Sequence, residues 1–307
     1  MNNGQRPILV TGVHRGGTSW VGRMLAADVR TAYISEPLNV LHRPGVFRTK
    51  VDHWYTYITS ENESQYLPAY HELLDFQYHT WLEIKSLRSH RDFLRMGRDF
   101  HTFLIGSLQG QRALIKDPFA VLSIPWFAEK LNSQIVVSIR HPAAFASSLK
   151  RLNWNFDFAN LLNQPLLMRD HLESDRAEME SISRDDIVSQ AALLWKMIYR
   201  FVHLTRDSIP DLYIVRHEDL SLDPINGYES LYESLGLTFD ERVEKIIRNA
   251  SSSENPSKLS KGKTHSVKLD SRANLDNWKK ILSPEEIDHV RVITEPVFHQ
   301  FYSDKDW

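Results

Sequence analysis

At 307 residues, 42% hydrophobic and 25% charged, the chain is long enough to bury one large core or two modest ones. A formal net charge of −2 excludes a global basic field for nucleic acid or anionic membrane, though not a local basic pocket. The absence of cysteine excludes disulfides, thiol catalysis and zinc–thiolate sites. The opening MNNGQRP is short and polar, and no apolar run approaches the roughly 20 residues of a membrane span. The expectation is a soluble cytoplasmic protein with no integral membrane segment and no nucleic-acid partner.

The first predicted strand, Ile8-Leu9-Val10, runs into Gly12-x-x-x-x-Gly17-Thr18-Ser19, and a helical pattern follows over 17–28. Strand, glycine-rich turn and helix form a phosphate loop: backbone N–H groups close around an anion, and the helix N-terminus adds partial positive charge. Thr18 stands where the P-loop of nucleoside triphosphatases has lysine, and the cation comes earlier, at Arg15. The loop therefore suits a phosphate ester better than the metal-bound phosphates of ATP. The second strand, 32–35, delivers Glu36, with Pro37 ending it. Residues 42–110 are rich in aromatics, with helical stretches near 70–86 and 91–108, and read as an insertion over the sheet edge. Its aromatics, among them Trp54, Tyr55, Tyr57, Tyr66, Tyr70, Tyr78 and Trp81, are candidates to stack on a sugar or line an apolar pocket.

The third strand, 113–115, ends at Lys116-Asp117-Pro118, and a helix follows at 124–131. The fourth, 135–139, ends at Arg140-His141-Pro142, before a helix at 143–152. A polar insertion at about 155–186 and a helix at 187–206 lead to the fifth strand, 212–215, and Arg216-His217-Glu218-Asp219. Residues 251–271 read as a mobile Ser- and Lys-rich loop. Ser283, Pro284 and Glu286 then open the last helix with a capping box. Alternating strands and helices give an α/β fold: a single domain, 1–307, with a central parallel sheet between helical layers. Arg15, Lys116, Arg140 and Arg216 all follow strand ends, where such sheets bind ligands. No histidine spacing suggests a metal site.

His14-Arg15-Gly16-Gly17-Thr18-Ser19-Trp20 resembles the 5′-phosphosulfate loop of sulfotransferases that use 3′-phosphoadenosine 5′-phosphosulfate (PAPS). Arg140-His141-Pro142, with Ser148, resembles that family's 3′-phosphate segment. Residues 215–220 look like its Arg-Tyr-Glu-Asp-Leu signature, and Tyr33-Ile34-Ser35-Glu36-Pro37-Leu38 is similar to a stretch of carbohydrate 6-O-sulfotransferases. Residues 272–278 loosely resemble a carboxyl-terminal element of the cytosolic enzymes.

The resemblance implies a P-loop-like three-layer α/β/α fold and in-line transfer of a sulfuryl group to an acceptor hydroxyl on a carbohydrate, glycolipid or small molecule. The donor is PAPS, the product adenosine 3′,5′-bisphosphate, and no metal is required. In this reading Arg15, Gly16, Gly17, Thr18, Ser19 and Trp20 hold the 5′-phosphate side, and Arg140 and Ser148 hold the 3′-phosphate. Glu36 is the general base, ahead of His101 as a rival by residue type alone. Lys116 either stabilises the sulfuryl group or neutralises Asp117; Arg272 and Lys263 reach the 3′-phosphate from the carboxyl-terminal loop. Arg216, Glu218 and Asp219 pin a strand to a helix. A nucleotide-dependent kinase with a degenerate P-loop and a non-catalytic nucleotide or glycan binder are the alternatives.

Overall fold

The computed structural model describes residues 5–41, 43–252, 255, 272 and 275–307. The expected mobile loop lies outside these apart from Ser251, Ser252 and Asn255, and so does Lys263. Five strands form one sheet: β1 (Ile8–Gly12), β2 (Thr31–Ser35), β3 (Arg112–Lys116), β4 (Gln134–Ile139) and β5 (Leu212–Arg216). All pair in parallel, in the order β2-β3-β1-β4-β5. β1, β3 and β4 are buried along their whole length, which is why they read as continuous apolar runs.

The period-two pleat splits the core in two. Leu9, Ile34, Ile115, Ile135 and Val137 face one layer, and Ile8, Val10, Leu114 and Val136 face the other. The second layer is made by α1 (Thr18–Leu25) with three helices that follow β5. Between β2 and β3 run α2 (Leu67–Leu74), α3 (Thr80–Ser86) and α4 (His90–Gln109). Between β3 and β4 lies α5 (Ile124–Leu131). From β4 to β5 come α6 (Pro142–Leu152), the short α7 (Ala159–Leu162), α8 (Pro165–Leu167) and α9 (Arg176–Ser181), then the long α10 (Ile187–Thr205). After β5 follow α11 (His217–Leu222), α12 (Pro224–Leu235), α13 (Glu241–Ser251) and α14 (Pro284–Phe298), the last opened by the expected Ser283/Glu286 capping box. No described helix is long and apolar enough to cross a membrane.

Three expectations need correction. The helix expected over 70–86 is broken: Phe76 takes a left-handed φ of 55°, which lets its ring bury against Phe103 and the bare face of Gly106. The first helix stops at Leu25, three residues early, and Asp28 turns back to bind Arg30. The two insertions also belong to the core more than expected. Tyr55 and Tyr70 are fully buried, Tyr57 and Tyr66 nearly so, and Phe156, Leu161, Leu167 and Met168 of the "polar" insertion join the same cluster. Apolar residues spaced among polar ones hid that burial.

Candidate active site

The loop after β1 is fixed by close packing. Gly12 has φ 139°, and a Cβ there would meet the Ser138 carbonyl at 2.3 Å, so only glycine fits. Gly17, with φ 95°, caps α1 without any side-chain cap, and a Cβ would strike the His217 ring at 2.7 Å. The amides at the start of α1 thus meet no capping side chain, the arrangement that suits a bound anion. Ser138 Oγ donates to the Gly16 carbonyl at 2.7 Å, and Tyr199 of α10 donates to the Ser138 carbonyl at 2.9 Å. Thr18 is buried, and Trp20 packs edge-on against His217 and Tyr228.

His14 anchors this loop, a role its sequence context did not reveal. Its backbone N–H donates to Tyr55 Oη at 3.0 Å, and its ring Nδ1 is bonded to the same hydroxyl. Trp54, Phe145 and Trp154 surround the ring at 5.0–5.7 Å between centroids. Burial, reinforced by Arg15, pushes the imidazole pKa down to about 3, so it stays neutral. The signal available in the sequence was the aromatic content of the insertion, which supplies Tyr55 and Trp54.

Three expected donor-side residues converge. Arg15 has a left-handed φ of 64°, and its Nε donates to Ser148 Oγ of α6 at 3.3 Å. Arg140 Nη1 donates to the Arg15 carbonyl at 3.2 Å. Burial and the neighbouring Arg140 and Arg151 push the Arg15 pKa down to about 10. Arg140 is also lowered by burial, and its Nε is buried without a hydrogen-bond partner. The like charges of Arg140 and Arg151 act on Arg15, Glu218 partly offsets Arg140, and a phosphate would add to that compensation.

Across the edge the chemistry reverses. The last β2 residue, Ser35, registers with Lys116 at the end of β3, and Glu36 N–H donates to the Lys116 carbonyl at 2.7 Å. The side chains of Lys116 and Glu36 form an ion pair. Asn39 Nδ2 adds a 2.7 Å bond to the other carboxylate oxygen. Burial raises the Glu36 pKa, but Lys116, Asn39 and Arg43 together outweigh it and hold the carboxyl below its ordinary value. Glu36 also sits at a positive φ of 54°. Lys116 thus pairs directly with Glu36 and acts on Asp117 only through space. The fully buried Asp117 instead accepts from the amides of Leu38 (2.6 Å) and Phe119 (2.9 Å), pinning the turn that carries Glu36. Burial, with Glu36 nearby, pushes the Asp117 pKa up to about 7.

Arg216 ion-pairs with Asp306 and reaches Asp219 at 3.6 Å, while Glu218 accepts from His141 N (2.9 Å) and Tyr302 Oη (2.9 Å). These contacts tie β5 and α11 to the strand end at Arg140 and to the carboxyl-terminal segment. Trp278 stacks on His141 at 5.0 Å, and Trp307 meets the same ring edge-on at 4.5 Å. The expected 3′-phosphate ligand Arg272 hydrogen-bonds the Leu222 carbonyl at the end of α11, at 2.6 and 3.1 Å. His101 is exposed on α4.

Residues 7–241 match the model of a family described as the sulfotransferase family. Over 87 residues the chain is 28% identical to carbohydrate sulfotransferase 1 of Danio rerio, a stretch that spans 28% of this chain and only 20% of that protein. The structure is similar to the sulfotransferase domain of the Synechococcus PCC 7002 olefin synthase, at 17% identity and TM-score 0.49 over 98% of this chain and 97% of that one. It is also similar to mouse sulfotransferase SULT7A1 complexed with PAP, at 10% identity and TM-score 0.49, covering 98% and 86% of the two chains.

Proposed function

Because the chain belongs to the sulfotransferase family, whose enzymes transfer a sulfuryl group from PAPS, we propose that the Arg15/Arg140/Ser148 cluster holds the donor nucleotide and Glu36 receives the acceptor's proton. The observation that supports this most is the convergence of Arg15, Arg140 and Ser148 on the same sheet edge as a carboxylate. PAPS supplies an activated sulfuryl group, whose S–O bond to the 5′-phosphate breaks as the acceptor oxygen bonds to sulfur. Arg15 and the amides of residues 16–20 hold the 5′-phosphate and the charge that grows on its bridging oxygen. Arg140 and Ser148 hold the 3′-phosphate. Lys116 stands between the two clusters at the end of β3, the strand between β2 and β1, and steadies the negative sulfuryl oxygens. Glu36 takes the proton of a hydroxyl acceptor, of the carbohydrate, glycolipid or small-molecule class. The positive charge needed is the protein's own, so the reading requires no metal. Arg272 is left out of the donor site.

The test is calorimetric titration with adenosine 3′,5′-bisphosphate, AMP, ADP and ATP without magnesium. Selective binding of the bisphosphate supports the donor site. Equal affinity for AMP removes the 3′-phosphate role of Arg140. Preference for ATP, or a need for magnesium, moves the kinase reading to the front.

A further inference from the structure

Eight of the 13 large apolar side chains exposed among the described residues lie between Trp81 and Leu108, on α3 and α4. On α4, Phe93, Phe100, Leu104 and Leu108 recur at helical spacing and form one outward stripe, while Asp99, Phe103 and Gly106 turn to the core. Gly97 lies in the middle of the stripe, open to solvent, with nothing within 4 Å of where a Cβ would sit. Scattered exposed apolar residues need no explanation; a stripe that runs along a 20-residue helix does.

The charges around the stripe are one-sided. Lys85, Arg88, Arg91 and Arg98 of the same segment are exposed, Arg91 and Arg98 on the flank of α4 next to Leu94, and Arg95 is half-buried. The acids of the same segment are spent elsewhere. Glu83 is buried and accepts from the Gly45 amide, and Asp99 is buried between Arg43 and Arg98, leaving the side chains of Lys85, Arg88 and Arg91, among the described residues, without an acid of the segment bonded to them. Only Asp92, half-buried at the start of α4, remains on this side, bonded to Ser89 and Arg95. A chain with net charge −2 thus concentrates cations around its most apolar surface. A second copy would present another row of cations and the same lone acid, which is no complement. Anionic phospholipid offers an apolar boundary for the aromatics and phosphates for the arginines.

α4 runs back against the direction of the strands. The end of α4 is tied to the amino edge of the sheet, where the Arg112 amide donates to the Arg30 carbonyl at 2.7 Å. α4 is roughly 30 Å long, and a five-residue strand only about 17 Å, so the amino half of α4 extends to the edge that carries Glu36. Arg43, seven residues after Glu36, pairs with Asp99 at 2.6 Å there.

We propose that α3 and α4 form a docking surface for anionic bilayers, with α4 lying along the membrane plane. The test is co-sedimentation of the full chain with vesicles of equal parts phosphatidylcholine and phosphatidylglycerol, and with phosphatidylcholine alone. Binding to the mixed vesicles is expected, weaker by at least about tenfold on the neutral ones and weakened by salt. Phe93→Ser/Phe100→Ser should abolish it. Arg88→Glu/Arg91→Glu should cut it by at least about tenfold, since each basic residue near such a surface contributes roughly fivefold. All four positions are exposed, and circular dichroism with thermal melting verifies folding. Wild-type protein that stays in the supernatant, or variants that bind like wild type, would overturn the proposal. So would a lipid-free dimer in sedimentation velocity that Phe93→Ser/Phe100→Ser dissolves, because a second copy would then cover the face.

Discussion

Two clusters share the carboxyl edge of the sheet, and they are held in opposite ways. Around β1 and β4, Arg15 and Arg140 crowd like charges together in a backbone fixed by Gly12, Gly17 and the caged His14. Around β2 and β3, Lys116 and Glu36 neutralise each other across neighbouring strands. The first cluster holds like charges near one another, which a bound anion would relieve. The second is already satisfied, and its carboxylate is ionised but weakly basic. Donor binding should therefore organise little on the first side, whereas Glu36 must be drawn from Lys116 before it works as a base.

Substitutions can separate the two sides. Glu36→Gln should lower the rate by about 10²–10⁴ while calorimetry finds bisphosphate affinity unchanged; a parallel loss of affinity would merge the clusters. Arg15→Ala should lower kcat by about 10²–10³ and weaken bisphosphate binding as well, so the two variants differ in the binding assay even where their rates are similar. In Lys116→Met the carboxyl of Glu36 loses its nearest cation and its pKa rises. The acid limb of the pH–rate profile should then move to higher pH, and an unmoved limb would show that Glu36 is not the titrating base.

The smallest effect concerns stability. His14 and His141 are buried with pKa values pushed down to about 3, below the unfolded value of about 6.5. Between those values the unfolded chain binds more protons. Their contribution is therefore complete above about pH 6.5 and falls as pH drops, by roughly 1.4 kcal/mol per unit for each group. Asp117 acts the other way: its folded pKa of about 7 lies above the unfolded value, so its contribution is greatest in acid and is lost as pH rises toward 7. Both ring nitrogens of His141 lack partners, so His141→Phe should flatten the acid slope by about one proton in urea titrations across pH. A slope unchanged from wild type would show that His141 is not excluded from protonation.

Much of the fold was legible because β1, β3 and β4 are short apolar runs followed by polar residues, and burial along their whole length leaves that mark. The helix break at Phe76 was not, since a left-handed phenylalanine depends on the ring's contact with Phe103 and Gly106, across roughly 30 residues of chain. At the site, Arg15 and Glu36 were recognisable one by one. Their company was not. The Lys116–Glu36 pair depends on the register between β2 and β3, and the His14 cage on aromatics that looked free to meet a ligand. The part played by Asp117 was not legible, because its neighbour in sequence, Lys116, pairs with a different carboxylate while Asp117 accepts from the turn's amides.

Arg15 is costly twice over: its backbone is left-handed, about 1–2 kcal/mol worse than glycine would be, and its charge is buried within the field of Arg140 and Arg151. Arg15→Gly would relieve both. Laboratory evolution that selects only for heat tolerance should therefore discard this arginine early, and survivors of such a screen would be hardier proteins without the group proposed to meet the leaving phosphate. A library meant to keep activity must hold position 15 constant, and drift there would be an early sign that selection had traded chemistry for robustness.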